Sequence, residues 1–261
     1  MHASRIAGIV PVILLAACAH HASVTTVVVI DTSLSITPRA ERATEDAIYD
    51  QISRLGRGDR LVVIPITGDA QNDAGGRILR LQVPSTREPY DADLRRFQAD
   101  AKKQYAAWTA SLDRHQQYTD ILGTLDLVRQ EFLATPKDAV RRLIVLSDFL
   151  EDEPALRFVS SSQLATAAQA KEFAEQVQNE RGFAPLGAHV CLGRLESSDY
   201  ASLSPLRKQA VQAFWAEYLS DHGQPPVLRF DGMGLLRDDA GCDFMQSDAA
   251  YKQTARGKIL P

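Results

Sequence analysis

Five oxygen-bearing residues stand out by type and position: Asp31, Ser33, Ser35, Thr119 and Asp148. The run Asp31-Thr32-Ser33-Leu34-Ser35 puts a carboxylate and two hydroxyls in alternation directly after an apolar stretch. Such donors can converge on one hard cation, because oxygen ligands suit Mg²⁺, Mn²⁺ or Ca²⁺. A plainer reading also fits, a strand end followed by a helix with Ser35 or Thr37 as N-cap. Asp148 closes a second apolar run, and Thr119 stands at the entry to a helical stretch, where it could serve only as a cap.

The elements that must position these residues are legible in the hydrophobic pattern. Val27-Val28-Val29-Ile30 and Leu143-Ile144-Val145-Leu146 are continuous β-branched or aliphatic runs without alternation, as in strands buried on both faces of a parallel sheet. Leu61 to Ile66 and Ala188 to Leu192 read the same way, although Pro65 implies local loss of pairing or a bend. Ile78 to Val83 alternates partially and reads as an antiparallel edge strand, and Val227 to Phe230 as a short last strand. Helical spacing predicts helices over 38–55, 91–114, 121–133, 162–181 and from Ser204-Pro205 to about Leu219. In the second of these, Leu94, Phe97, Ala101, Tyr105, Trp108 and Leu112 form one core-facing stripe. Strands alternating with helices predict a doubly wound α/β fold, with a mostly parallel sheet, one antiparallel edge strand and helices on both faces. Ligands of such sheets sit outside the carboxyl ends of the strands. Asp31, Thr119 and Asp148 would therefore meet at one crevice.

Taken in order, Asp31-x-Ser33-x-Ser35, Thr119 and Asp148 resemble the metal-ion-dependent adhesion site of the von Willebrand factor type A family, which includes the ligand-binding inserted domains of integrins. The resemblance spans about residues 24–230, with an insertion near 68–115 that is larger than a minimal domain needs and could decorate the face near the site. It implies a three-layer α/β sandwich whose activity is binding, not turnover. Ser33 and Ser35 would hold Mg²⁺ (or Mn²⁺ or Ca²⁺) directly. Thr119 would do so directly or through water, and Asp31 and Asp148 mostly through bridging waters. The implied partner is a protein that offers an acidic side chain to an open coordination position. Many members carry glycine after the last aspartate, whereas Phe149 stands here. Glu151, Asp152 and Glu153 follow closely and read either as a solvated acidic loop or as a second cation site.

Other chemistries fit less well. A metal-dependent phosphatase of the haloacid dehalogenase-like kind could use Asp31 as nucleophile, but it needs a second acid two residues on, where Ser33 stands. No Gly-x-Ser-x-Gly elbow is present, and His189 falls within a strand. No glycine-rich fingerprint follows the first strand. A structural domain with a vestigial site is a third reading. The net charge of −4, without blocks of like charge, excludes a basic nucleic-acid surface.

Residues 1–18 have the form of a signal peptide, with a weakly basic start and an apolar stretch from Ile6 to Leu15. Leu15-Ala16-Ala17-Cys18 resembles the bacterial lipoprotein signal, in which the cysteine becomes the lipidated first residue. A tether at 19–23 would then hold the domain near the membrane. Ala19 in place of Asp favours the outer membrane, facing the periplasm. With Cys18 lipidated, Cys191 and Cys242 remain and are expected to pair in an oxidising compartment. A loop-rich tail is expected over 231–261.

Overall fold

The central strand β1 (Val24–Asp31) is buried along nearly its whole length, as its unbroken apolar run requires. The computed structural model describes residues 22–73, 77–86, 91–112, 118–154, 156–182, 186–220 and 227–229. The leader with Cys18, and the tail from Asp231 with Cys242, lie outside the described residues. Strand β1 pairs in parallel with β2 (Arg60–Ile66) on one side and with β4 (Val140–Ser147) on the other. Beyond β2 lies β3 (Leu79–Gln82), the antiparallel edge strand. Beyond β4 lie β7 (His189–Arg194) and β8 (Val227–Arg229), both parallel. The six-stranded order is thus β3-β2-β1-β4-β7-β8. A separate short hairpin is formed by β5 (Asp152–Glu153) and β6 (Leu156–Arg157).

Alternate residues of each strand feed two cores. Val27, Val29, Leu143 and Val145 pack against α4 (Ile121–Leu133), α5 (Ala167–Arg181) and α7 (Pro205–Tyr218). Val28, Ile30, Ile144 and Leu146 pack against α1 (Pro38–Arg54) and α3 (Ala92–Ser111). Each fully buried aliphatic side chain contributes roughly 1.5–3 kcal/mol, so the sheet cannot slip by one residue without exchanging both cores. The short helices α2 (Ala70–Asp73) and α6 (Ser198–Ser202) complete the connections.

Several expectations are refined by local physics. Pro65 pairs with Ile30 of β1, but β3 reaches only as far as Val63, so the missing N–H falls where no partner strand lies. Thr37, not Ser35, caps α1, and Pro38 occupies its first turn. The predicted helix 162–181 is divided: Ser162–Leu164 forms a 3₁₀ turn, and Thr166 caps α5 afresh. Gly182 closes α5 with φ 59°. The insertion supplies β3 and α3, and α3 lies beside α1 with Tyr105 edge-on to Tyr49 at 5.6 Å.

Candidate metal centre

Chain order runs outward from β1 through β2 to β3, then restarts at β4 on the other side of β1. The switch point of the sheet therefore lies between β1 and β4. Asp31 ends one of these strands, and Asp148 directly follows the other. A polar chain joins them. Ser147 Oγ donates to Asp31 Oδ2 at 2.6 Å, and the Ser33 amide donates to Asp31 Oδ1 at 2.9 Å. Ser33 Oγ and Ser35 Oγ share a hydrogen bond of 3.1 Å, and Ser35 Oγ donates to Asp148 Oδ2 at 3.2 Å. The Leu150 amide satisfies Asp148 Oδ1 at 3.0 Å. Four of the five expected residues thus form one connected cluster.

Thr119 approaches from another direction. Its backbone pairs with Asp152 through two hydrogen bonds of 3.0 Å, and its hydroxyl donates to the Leu150 carbonyl at 2.8 Å. Thr119 is not the cap of α4, since Asp120 takes that role through the Gly123 amide. The Thr119 oxygen keeps its acceptor capacity while it donates. Its loop is tied to the segment that carries Asp148.

Both carboxylates are buried, Asp31 at 5% and Asp148 at 2% exposure. Burial, and then the neighbouring Asp31 charge, push Asp148 up to about 7, against hydrogen bonds from Ser197, the Leu150 amide and Ser35. A buried pair of like acids beside two convergent hydroxyls is an environment that a cation relieves. Adjacent ligands of an octahedral Mg²⁺ lie about 3 Å apart, given bonds of roughly 2.0–2.1 Å. The oxygen separations of Ser33, Ser35 and Asp148, at 3.1 and 3.2 Å, match that spacing. Ser33 Oγ, Ser35 Oγ and Asp148 Oδ2 are the atoms that fit such an ion.

The rim of the site carries an exposed apolar residue, Leu34, at 62% exposure between the two serines. On the α1 and α3 side, a cleft of about 170 Å³ opens against Asp31 and Thr32, with Tyr105, Thr109 and Leu112 of the insertion in its wall. The C-terminal part of α3 and Leu112 thus stand on the same cleft as Asp31.

Phe149 has φ 64°, the one non-glycine residue with positive φ among the described residues. This is the position at which the sequence resemblance implied glycine. Phe149 is retained through its surroundings: its ring is fully buried 6.1 Å from that of Trp215, and its carbonyl accepts from Trp215 Nε1 at 2.9 Å.

Sequence reasoning missed Ser147 and Ser197. Ser147 precedes Asp148 and reads as a strand residue, yet its hydroxyl holds Asp31 and also accepts from the Phe149 amide at 2.9 Å. Ser197 offers only the signal of a helix cap, which it also is, for α6. Glu151 overturns the solvated-loop reading, since it is fully buried and accepts from the Ile121 and Leu122 amides at 3.0 and 3.2 Å. Cys191 lies in β7 and is disulfide-bonded.

No protein-family model matches this sequence, and neither does any curated protein. Among solved structures, it is similar to an aerotolerance-related membrane protein from Bacteroides fragilis NCTC 9343, with 17% identity, TM-score 0.42, and 81% of this chain aligned to 93% of that one. A von Willebrand factor type A structure from Catenulispora acidiphila aligns with 17% identity and TM-score 0.39, over 74% of this chain and 43% of that one. The manganese-loaded Plasmodium vivax TRAP protein aligns with 14% identity and TM-score 0.37, over 66% of this chain and 57% of that one.

Proposed function

We propose that this chain is a divalent-cation-dependent protein-binding module of a bacterial envelope lipoprotein, anchored through Cys18 and facing the periplasm from the outer membrane. The observation that carries this reading is the hydrogen-bonded cluster of Asp31, Ser33, Ser35 and Asp148 at the switch point of the sheet. Mg²⁺ suits the donor set, and Thr119 stands ready on an adjoining loop. The chemistry that such an ion supplies is an open position for a carboxylate oxygen. With two neutral hydroxyls and a single carboxylate oxygen around it, a divalent ion keeps net positive charge, which favours an acidic side chain of a partner. On this reading the protein's own residues bind and orient; Asp31 lacks the second acid two residues on that a haloacid dehalogenase-like phosphatase needs, because Ser33 stands there. Exposed Leu34 gives the partner an apolar contact next to the charged one.

Calorimetric titration of Mg²⁺ and Mn²⁺ into the wild-type protein and its Ser33→Ala variant tests the reading. We expect the wild type to bind, and the variant to lose at least about tenfold in affinity. A wild type that takes up neither ion would leave a structural domain with a vestigial site. A partner retained equally in EDTA would also overturn the proposal.

A further inference from the structure

On the segments that follow Thr119 and Asp148 lies a second group of acids that the first site does not use. One carboxylate oxygen each from Asp120, Glu151 and Glu153 lies within 4.8 Å of the others. Asp120 and Glu151 are buried at 8% and 0% exposure, and Glu153 is partly open to solvent. Acids alone would not make a site, but Glu151 adds an independent feature. Its Oε2 is held by the first two amides of α4, while its Oε1 is buried with no hydrogen-bond partner. An orphan carboxylate oxygen in a dry interior costs free energy unless a ligand meets it. The Thr67 hydroxyl, on the residue whose carbonyl accepts from the Asp120 amide, is likewise buried without a hydrogen-bond partner.

The local charge is not balanced by the protein. Asp120 and Glu153 oppose the Glu151 charge, and the opposing guanidinium is that of Arg181. Arg181 also serves Glu153 at 3.2 Å and Asp126 at 3.7 Å. The N-terminus of α4 adds only about half a positive charge. A cation of matching size would complete the balance. Three carboxylates converging on one ion suit Ca²⁺, whereas Mg²⁺ is usually held by one or two carboxylates and keeps several of its waters.

We propose that Asp120, Glu151 and Glu153 form a second cation site, preferring Ca²⁺ over Mg²⁺, that braces the two loops carrying Thr119 and Asp148. Asp120 follows Thr119 directly, and Glu151 and Glu153 follow Asp148 on the hairpin that pairs with Thr119. An ion there would clamp the Thr119 loop to the hairpin and set the reach of Thr119 toward the first site. Glu153, being partly exposed, marks the route of entry.

The test uses the full-length protein with Ser33→Ala to disable the first site. Calorimetry and thermal melting with CaCl₂ or MgCl₂ are compared for Ser33→Ala alone, with Glu151→Gln added, and with Glu153→Gln added. We expect the single variant to bind one Ca²⁺ at least about tenfold more tightly than Mg²⁺, and to melt higher when Ca²⁺ is present. Both double variants lose that uptake and that shift. Glu153→Gln, at a partly exposed position, keeps the test valid if Glu151→Gln fails to fold. The proposal falls if Ser33→Ala takes up no Ca²⁺, or if the glutamines leave uptake unchanged. It also falls if Glu151→Gln raises the melting temperature in EDTA while Ca²⁺ does nothing, since the acid then carries a proton in place of an ion. Because the first site is disabled throughout, these outcomes are separate from the Mg²⁺ result for the wild type.

Discussion

At the scale of single residues, the paired acids explain both the chemistry and an instability. Asp148 is pushed up to about 7 by burial and by Asp31, well above its value in an unfolded chain. A folded-state value raised above the unfolded one contributes stability that is fully present below the unfolded value. That contribution is lost as pH rises through the folded value. In EDTA, the melting temperature should therefore fall between about pH 5.5 and pH 8, by roughly 5 °C for a domain of this size. Glu151, raised by burial and by Asp120 and Glu153, contributes in the same direction. Asp148→Asn should make the fall shallower, and Mg²⁺ at pH 8 should recover most of it. A melting temperature in EDTA that is flat or rises over this range would contradict the account. Ser33 and Ser35 are neutral and bring no such penalty, which is why a site can place them at the ion.

At the scale of elements, the loop after β4 is the most constrained part of the site. Ser147 faces Asp31, Asp148 faces Ser35, and Phe149 turns through a left-handed conformation to bury its ring against α7. Two opposed terms decide what glycine would do here. Relief of the left-handed backbone gains about 1–2 kcal/mol, while deletion of a fully buried phenylalanine costs about 3–5 kcal/mol. Packing wins, so Phe149→Gly should destabilise the protein by roughly 2–3 kcal/mol in urea unfolding. A variant as stable as wild type would show that backbone strain, and not the contact with Trp215, dominates. Gly123 is fixed for a different reason. A Cβ at this position would run into the Asp120 carboxylate that caps α4. The start of α4 is therefore tightly specified.

At the scale of the whole molecule, the fold assembles the site from loops far apart in sequence and leaves the rest of the surface for other tasks. Among the described residues no helix is long and apolar enough to cross a membrane. On our proposal attachment runs through Cys18. Cys18→Ser should abolish incorporation of radiolabelled palmitate and move the protein from the membrane fraction to the soluble periplasmic fraction. An unlabelled wild type, or a variant that still sediments with membranes, would refute the anchor. Cys191 is disulfide-bonded; its expected partner, Cys242, lies outside the described residues.

Much of this architecture was already written in the chain. Continuous Val and Ile runs can be satisfied only by burial on both faces, which demands a parallel sheet with helices above and below. Partial alternation at 78–83 marks an edge, and Leu79–Gln82 is that edge strand. The order Asp31, Ser33, Ser35, Thr119 and Asp148 pointed to one crevice, because strand ends in such a sheet share a side. Other features depended on contacts between distant segments, which local pattern does not encode. Glu151 reads as one acid among three on a surface loop, and only the approach of α4 buries it. Ser147 and Ser197 read as a strand residue and a helix cap, and only the pairing of β4 with β1 and the return of the chain after β7 bring their hydroxyls to the acids. The hydroxyl of Thr119 turns to the Leu150 carbonyl because a hairpin that pairs over two residues per strand holds it there. Residue type and period determine which side chains must be buried and which strand ends can meet; the tertiary packing of loops decides which buried carboxylate oxygens are left without a partner.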